Sequence, residues 1–169
     1  SSYRGPLFIK TMELVKQRGW TPITIHQPRY SILDRWIETD LLQHTDAYGT
    51  GVIVFSPLEQ GLLSSKYLDP KNPIPENSRA ADPDGYLQPE QVTEAKVQQA
   101  RKLNELARQR GQSLVQMALA WTLRDPRITS AIIGARTPEQ ITECVSAINN
   151  TNFTEQELMD GFYYLWKSF

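Results

Sequence analysis

Between Gly51 and Ser56 the chain runs Gly-Val-Ile-Val-Phe-Ser, apolar at every inner position and without alternation. A strand with one wet face alternates apolar and polar residues; a strand covered on both faces does not. This run therefore predicts a strand inside a parallel sheet flanked by helices, and Pro57 ends it. Two other segments fit the same role. Thr21 to Gln27 (TPITIHQ) is a short β-branched run stopped by Pro28, and Ser130 to Gly134 (SAIIG) is a third covered strand.

Helical periodicity fills the intervals. From Leu7 to Lys16, Ile9, Met12 and Val15 recur at helical spacing, with Gly19 as the stop. Ser31 to Ala47 predicts one helix, broken after Tyr48 by Gly49 and Gly51. Glu90 to Arg110 predicts a polar helix with Val97, Ala100, Leu103 and Leu106 on one side, ended by Gly111. Ser113 caps the next (LVQMALAWTLRD), whose Ala118 to Trp121 portion is apolar all round and so buried. Thr137-Pro138-Glu139-Gln140 opens another with the capping-box pattern, and Thr154 starts a last short one. Lys66 to Pro89, rich in Pro, Asp and Asn and without a period, predicts a long loop, and long loops in compact domains usually carry function.

Helices alternating with covered strands predict an α/β fold with parallel strands and right-handed crossovers. Three such strands leave two apolar edges, which invite aggregation. The chain opens Ser1-Ser2-Tyr3-Arg4-Gly5-Pro6, without an initiator Met. Edges and opening together suggest a piece of a larger protein. The 169 residues are 40% hydrophobic, enough for one core. Lys and Arg number 18 against 19 Asp and Glu, so no basic surplus argues for nucleic acid. One Cys and two His exclude a multi-Cys zinc site and an internal disulfide, and a single thiol fits the cytoplasm. No apolar run approaches the ~18 residues of a membrane span, so no membrane partner is expected.

In parallel α/β folds, ligands gather at the C-terminal ends of the strands. Gln27, Pro28, Arg29 and Tyr30 fall there after the first strand. Ser56, Pro57, Leu58, Gln60 and Gly61 follow the second; Gly134, Ala135, Arg136 and Thr137 follow the third, with Gln140, Glu143 and Cys144 on the next helical turns. A helix N-terminus beside an Arg attracts phosphate. A capped helix start with a solvated Arg136 accounts for the same residues equally well. Lys66 offers a second phosphate contact, or a solvated surface cation. Phe55 offers an aromatic wall, or a core ring at a strand end. No general acid stands out. His26, inside the first strand, reads as a packed histidine, and His44 as a solvated one. No Ser-His-Asp pattern, metal-ligand spacing or Walker loop is present.

The segments IHQPRYSILDR, FSPLEQGLLSSKYL, GQSLVQMALAWTLRD and IIGARTPEQITECVSAI, in this order, resemble the aldo-keto reductases. The likeness is to the branch holding bacterial glyceraldehyde-3-phosphate reductases and potassium-channel β-subunits. It runs from Ser1 to about Leu158 and is weaker from Asp160 onward. It implies a (β/α)8 TIM barrel, of which residues 1–169 supply roughly strands six to eight and their helices as part of a single barrel domain, with 66–89 as a loop over the cofactor. The remaining half of the barrel is an implied partner.

The resemblance also implies the site. Ser1 and Ser2 look like the pair that holds the nicotinamide carboxamide, with Gln27 as third partner and Phe55 stacked on the ring. Ser56, Pro57, Leu58, Gln60 and Gly61 resemble the loop around the pyrophosphate, with Lys66 a phosphate contact. Arg79, Arg136 and Gln140, beside Gly134, fall on positions near the adenosine 2′-phosphate, which points to NADP. Glu143 and Cys144 fall where the family usually has a Glu-Asn pair against adenine; Cys144 departs from that pattern. The family's Asp, Tyr, Lys and His tetrad, with Tyr as general acid, belongs to strands outside this segment, so no catalytic residue is assigned here. The implied function is NADPH-dependent reduction of small aldehydes or ketones to alcohols by the whole protein, this chain alone being inactive. Two alternatives remain open: a nucleotide-holding regulatory protein like the channel β-subunits, and an inactive truncated product. The aromatic tail (Phe162, Tyr163, Tyr164, Trp166, Phe169) leaves a homo-oligomer open.

Overall fold

The computed structural model describes residues 2–159. Ser1 and the aromatic tail lie outside the described residues. The chain forms two compact units. The first takes in the chain up to Pro57 together with Thr122–Gly134; the second takes in Leu58–Trp121 and the chain from Ala135 onward.

The first unit is built on a three-stranded parallel sheet, β1 (Ile25–His26), β2 (Gly51–Val54) and β3 (Ile128–Ala131), in the order β1-β2-β3. The central β2 is the apolar run singled out above, and Val52 and Val54 are fully buried. The parallel strands are therefore present, but the cover expected of all three fails at the outer two: Ile25 of β1 and Thr129 and Ser130 of β3 are exposed, and both strands are shorter or displaced from expectation. β1 keeps only two of the seven residues from Thr21 to Gln27; Pro22 has no N–H to offer a ladder. β3 starts two residues earlier than Ser130, and a register irregularity falls opposite Val52 and Ile53. There the Thr129 hydroxyl takes the Val52 N–H at 3.2 Å.

Helix α1 (Gly5–Arg18) buries Met12 and Val15 and ends at Gly19 in the left-handed region, as predicted, but Phe8 takes the buried place expected of Ile9, which is half-buried. The single helix expected over 31–47 is instead a turn followed by α2 (Trp36–Asp40) and α3 (Leu42–Ala47). The turn comes from Ser31, whose hydroxyl accepts the N–H groups of Leu33 and Asp34, both at 3.1 Å. Such local side-chain bonds compete with the helical ladder.

In the second unit, α4 (Glu94–Gln109) starts later than the expected Glu90 and buries Val97, Ala100, Leu103 and Ala107, with the expected Leu106 only half-buried, while α5 (Leu114–Leu123) carries the apolar face expected of it. Met117 to Trp121 are at most 2% exposed. Helix α6 (Pro138–Val145) begins at Thr137, whose side chain accepts the Gln140 N–H. The second half of the expected capping box is shifted by one residue: Gln140 Oε1 accepts from the Arg136 N–H at 2.7 Å. Helix α7 (Glu155–Leu158) has both halves of its box. The segment expected as a long loop holds short 3-10 turns at Ser65–Tyr67, Arg79–Ala81 and Pro89–Gln91. Among the described residues no helix is long and apolar enough to cross a membrane.

Candidate functional site

In the first unit the sheet delivers Gln27 and Phe55 to neighbouring strand ends. Pairing continues past β1 and β2: the Phe55 N–H donates to Pro28 O at 3.1 Å, and the Tyr30 N–H donates to Phe55 O at 3.3 Å. Phe55 is thereby held on both sides of its peptide. Ser2 joins the same rim, because its N–H and its hydroxyl both donate to Gln27 O, at 3.1 and 3.2 Å. Two of the three expected carboxamide partners therefore meet, and the third, Ser1, is outside the described residues. Gly134, three residues past β3, is exposed.

Behind this rim Tyr30 is fully buried. Its hydroxyl donates to Glu38 Oε1 at 2.6 Å and accepts from Arg124 Nη1 at 3.1 Å. Arg124 also reaches Glu38, at 3.2 Å, and Arg35 grips the same carboxylate at 2.6 Å. Burial, and then Glu38, push the Tyr30 phenol above its ordinary range, against the Arg124 charge. Burial alone would raise Glu38; hydrogen bonds from Arg35 and Tyr30 and the two guanidinium charges outweigh it and hold the carboxyl low. His26 is buried against Tyr3 and Phe8, with Nε2 3.3 Å from Tyr3 O, and burial lowers its pKa. It is the packed histidine expected. His44 is half-buried rather than solvated, with its ring against Gly5.

The backbone marks one loop strongly. Among the described residues, four that are not glycine have φ in the left-handed region: Ser2 (56°), Ser56 (55°), Glu59 (48°) and Gln60 (58°). Each such residue costs of order 1 kcal/mol and persists where the surroundings impose it, often at ligand clamps. Ser2, Ser56 and Gln60 were singled out from sequence. Glu59 was not; it is 8% exposed, an unusual burial for a carboxylate, and its loop position alone gave no signal of that. Gly61 follows with φ 96°.

Two basic residues of the second unit, Lys66 and Arg79, follow this loop in the chain. Arg79 Nη1 donates to Gln60 Oε1, and Lys66 Nζ donates to Asn77 O at 3.1 Å. The segment between Lys66 and Arg79 thus folds back, pinned by the Tyr67 hydroxyl, which accepts the Ala80 N–H. Among the described residues, the Ser78 hydroxyl is buried beside Arg79 without a hydrogen-bond partner. Buried polar groups are rarely left so.

At α6, Arg136 is exposed. Glu139 already supplies an anion at this helix start: hydrogen bonds with Thr137 and with its own N–H hold its carboxyl low. A phosphate there would depend on the Arg136 side chain more than on free N–H groups. Glu143 is half-buried and accepts from the Ser113 hydroxyl at 2.6 Å. Cys144 is 8% exposed, and burial, then the Glu143 charge, push its thiol up. Pro57 is buried, and Leu58 is half-buried. Among the described residues no cluster of three His, Cys, Asp or Glu could hold a metal.

In the second unit, Lys66 and Arg79 follow the left-handed Glu59 and Gln60 in the chain, and Arg136 precedes α6. Comparison with known proteins gives the family. A profile described as "Aldo/keto reductase family" matches residues 7–160. L-glyceraldehyde 3-phosphate reductase of Escherichia coli (strain K12) is 43% identical over 180 aligned residues, covering 99% of this chain and 51% of the relative. A Schizosaccharomyces pombe protein, named as a candidate voltage-gated potassium channel subunit beta, is 43% identical over 126 residues, 72% of this chain and 36% of its own. The uncharacterized oxidoreductase YrpG of Bacillus subtilis is 30% identical over 148 residues, 88% of this chain and 42% of its own. The chain therefore spans about half the length, or less, of these curated relatives. With the profile matching nearly the whole chain and the reductase aligned along almost all of it, the chain belongs to the aldo/keto reductase family.

Proposed function

We propose that this chain is the cofactor-holding part of an NADPH-dependent carbonyl reductase, contributing strands six to eight of a (β/α)8 barrel. Ser1, Ser2, Gln27 and Phe55 orient the nicotinamide. Ser56, Pro57, Leu58, Gln60, Gly61 and Lys66 hold the pyrophosphate. Arg79, Arg136 and Gln140, with Gly134, take the 2′-phosphate, and Glu143 and Cys144 adjoin the adenine. When bound, the nicotinamide supplies the two electrons that reduce an aldehyde or ketone to an alcohol. This chain's residues bind and orient it. The proton-donating tetrad is assigned to the other half of the barrel, and the setting is cytoplasmic. The name of the Escherichia coli relative supports a small aldehyde as substrate.

The observation that carries the reading is the left-handed backbone at Ser2, Ser56, Glu59 and Gln60. These are the residues, or the immediate neighbours of residues, that the family resemblance assigns to the cofactor. The test is titration of the chain with NADPH and NADH by fluorescence quenching. NADPH is expected to bind in the micromolar range. Arg136→Ala should weaken NADPH about tenfold, the loss of one charge-assisted contact, and leave NADH nearly unchanged. Equal loss for both ligands would remove Arg136 from the 2′-phosphate, and absence of binding would overturn the reading. The similarity to the Schizosaccharomyces pombe protein supports a second reading, a nucleotide-holding regulatory protein. NADPH bound by the whole protein but not consumed with any carbonyl compound would favour it.

A further inference from the structure

Glu143 is held from outside its own helix. The Ser113 hydroxyl, thirty residues earlier in the chain, donates to its Oε1 at 2.6 Å. Ser113 immediately precedes α5 and caps it: its hydroxyl accepts the Gln116 N–H at 3.2 Å, and Gln116 Oε1 accepts the Ser113 N–H at 2.9 Å. A hydroxyl has one proton and two lone pairs, so it accepts at the helix start and donates to the carboxylate at once. An ionised carboxylate only accepts, so the Ser113 proton must point at Glu143.

That second bond is not needed for the cap, and it fixes a side chain with three rotatable torsions. A carboxylate has about four acceptor positions, so one bond to Ser113 leaves capacity for a ligand N–H. Fixing the acceptor beforehand removes an ordering cost from binding. The neighbouring Cys144 is buried and carries no amide. Polar recognition at this pair of positions therefore falls to Glu143.

We propose that Ser113 is a positioning residue for base recognition: it sets Glu143 to accept the 6-amino N–H of adenine, so that the chain distinguishes adenine from hypoxanthine dinucleotides. This rests on the assignment of Glu143 to the adenine end. A hypoxanthine ring has a carbonyl in place of that amino group and would set an acceptor against an acceptor.

The experiment measures the affinity of the full chain for NADPH and for its 6-deamino (hypoxanthine) analogue. Four proteins are compared: the unaltered chain, Ser113→Thr, Ser113→Asp and Glu143→Ala. A hydrogen bond to a charged group predicts a preference for NADPH of about tenfold or more. Ser113→Thr keeps both cap and donor and should keep the preference. Ser113→Asp keeps the cap but loses the donor and adds a like charge; its preference should fall to within about twofold, as should that of Glu143→Ala. A loosened helix start would weaken both ligands together and leave their ratio unmoved. Should Ser113→Asp keep the full preference while Glu143→Ala loses it, Ser113 has no positioning role and the reading of Glu143 stands. Equal affinities in the unaltered chain would remove Glu143 from the adenine and overturn the inference with it. Absence of binding to either ligand would overturn the dinucleotide reading as a whole.

Discussion

Tyr30 and Arg124 stand 94 residues apart in sequence yet share one proton network through Glu38. At this scale the sequence is nearly silent. Nothing around Tyr30 marks it as a buried donor, and although Arg35 stands three residues before Glu38, nothing near Glu38 foretells Arg124 as its second guanidinium partner. The geometry makes its acid behaviour predictable. Glu38 has a folded pKa below the ordinary 4.5. As pH falls, the unfolded chain takes up the proton first. The stabilisation is therefore complete above about pH 5 and lost progressively below it as the folded pKa is approached. Glu38→Gln should lower stability at pH 7 by about 2 kcal/mol, since Arg35 and Arg124 lose a charged acceptor in a partly buried setting. It should also flatten the fall of the urea midpoint as the pH drops below about 5. Asp125, also held low by Arg127, keeps part of that slope in the variant. Identical acid slopes for variant and parent would show that Glu38 does not carry the acid sensitivity.

Whole elements were far more legible than their junctions. The unalternating run at β2, the period of α1, the buried face of α5 and the Thr137 and Thr154 caps all follow from spacing and residue type. The turn that replaces the helix at 31–34 does not, because it depends on which partner Ser31 chooses. The same is true of the loop at 56–61. Its glycine is visible in sequence, whereas the left-handed Ser56, Glu59 and Gln60 are imposed by packing. Of the candidate site, the residue types were readable, and the partners Ser113–Glu143 and Arg79–Gln60 were not, since each bond spans many residues. The junction between α1 and α2 gives the clearest element-scale test. A Cβ built on Gly5 would lie 2.1 Å from Asp40 O and 2.8 Å from the His44 ring. The Gly5 N–H already donates to Asp40 Oδ2 at 3.2 Å, and Arg4 lies 4.2 Å over the Trp36 ring. Neither backbone can yield without the other. Gly5→Ala should cost about 1–3 kcal/mol and lower Tm by roughly 3–10 °C. Pro6→Ala, exposed one residue later, should change it by less than about 3 °C. Equal effects from the two substitutions would mean that the close approach is not what holds this junction.

For the whole molecule, the open sheet decides behaviour in solution. β1 and β3 are edge strands, and parallel strands with free backbone groups are templates for further pairing. Ile25 in β1 is 57% exposed and Ile132, just past β3, 41%. The relatives are about twice as long, and under the barrel reading their other half covers both edges. The chain by itself should therefore self-associate as its concentration rises. Ile25→Lys places a charge on the β1 edge, where a partner strand would have to desolvate it. The onset of light scattering is expected to move to a severalfold higher concentration, and the dye fluorescence that reports exposed apolar surface to fall. Tm should stay within about 2 °C, because Ile25 is not a core residue. Supplying in trans the half of the Escherichia coli reductase that this chain does not match should have the same effect by covering the edge rather than charging it. If neither intervention alters scattering, association runs through another surface. The exposed Ile141, Val145 and Ile148, at helical spacing along α6 and the turn after it, are then the place to substitute next.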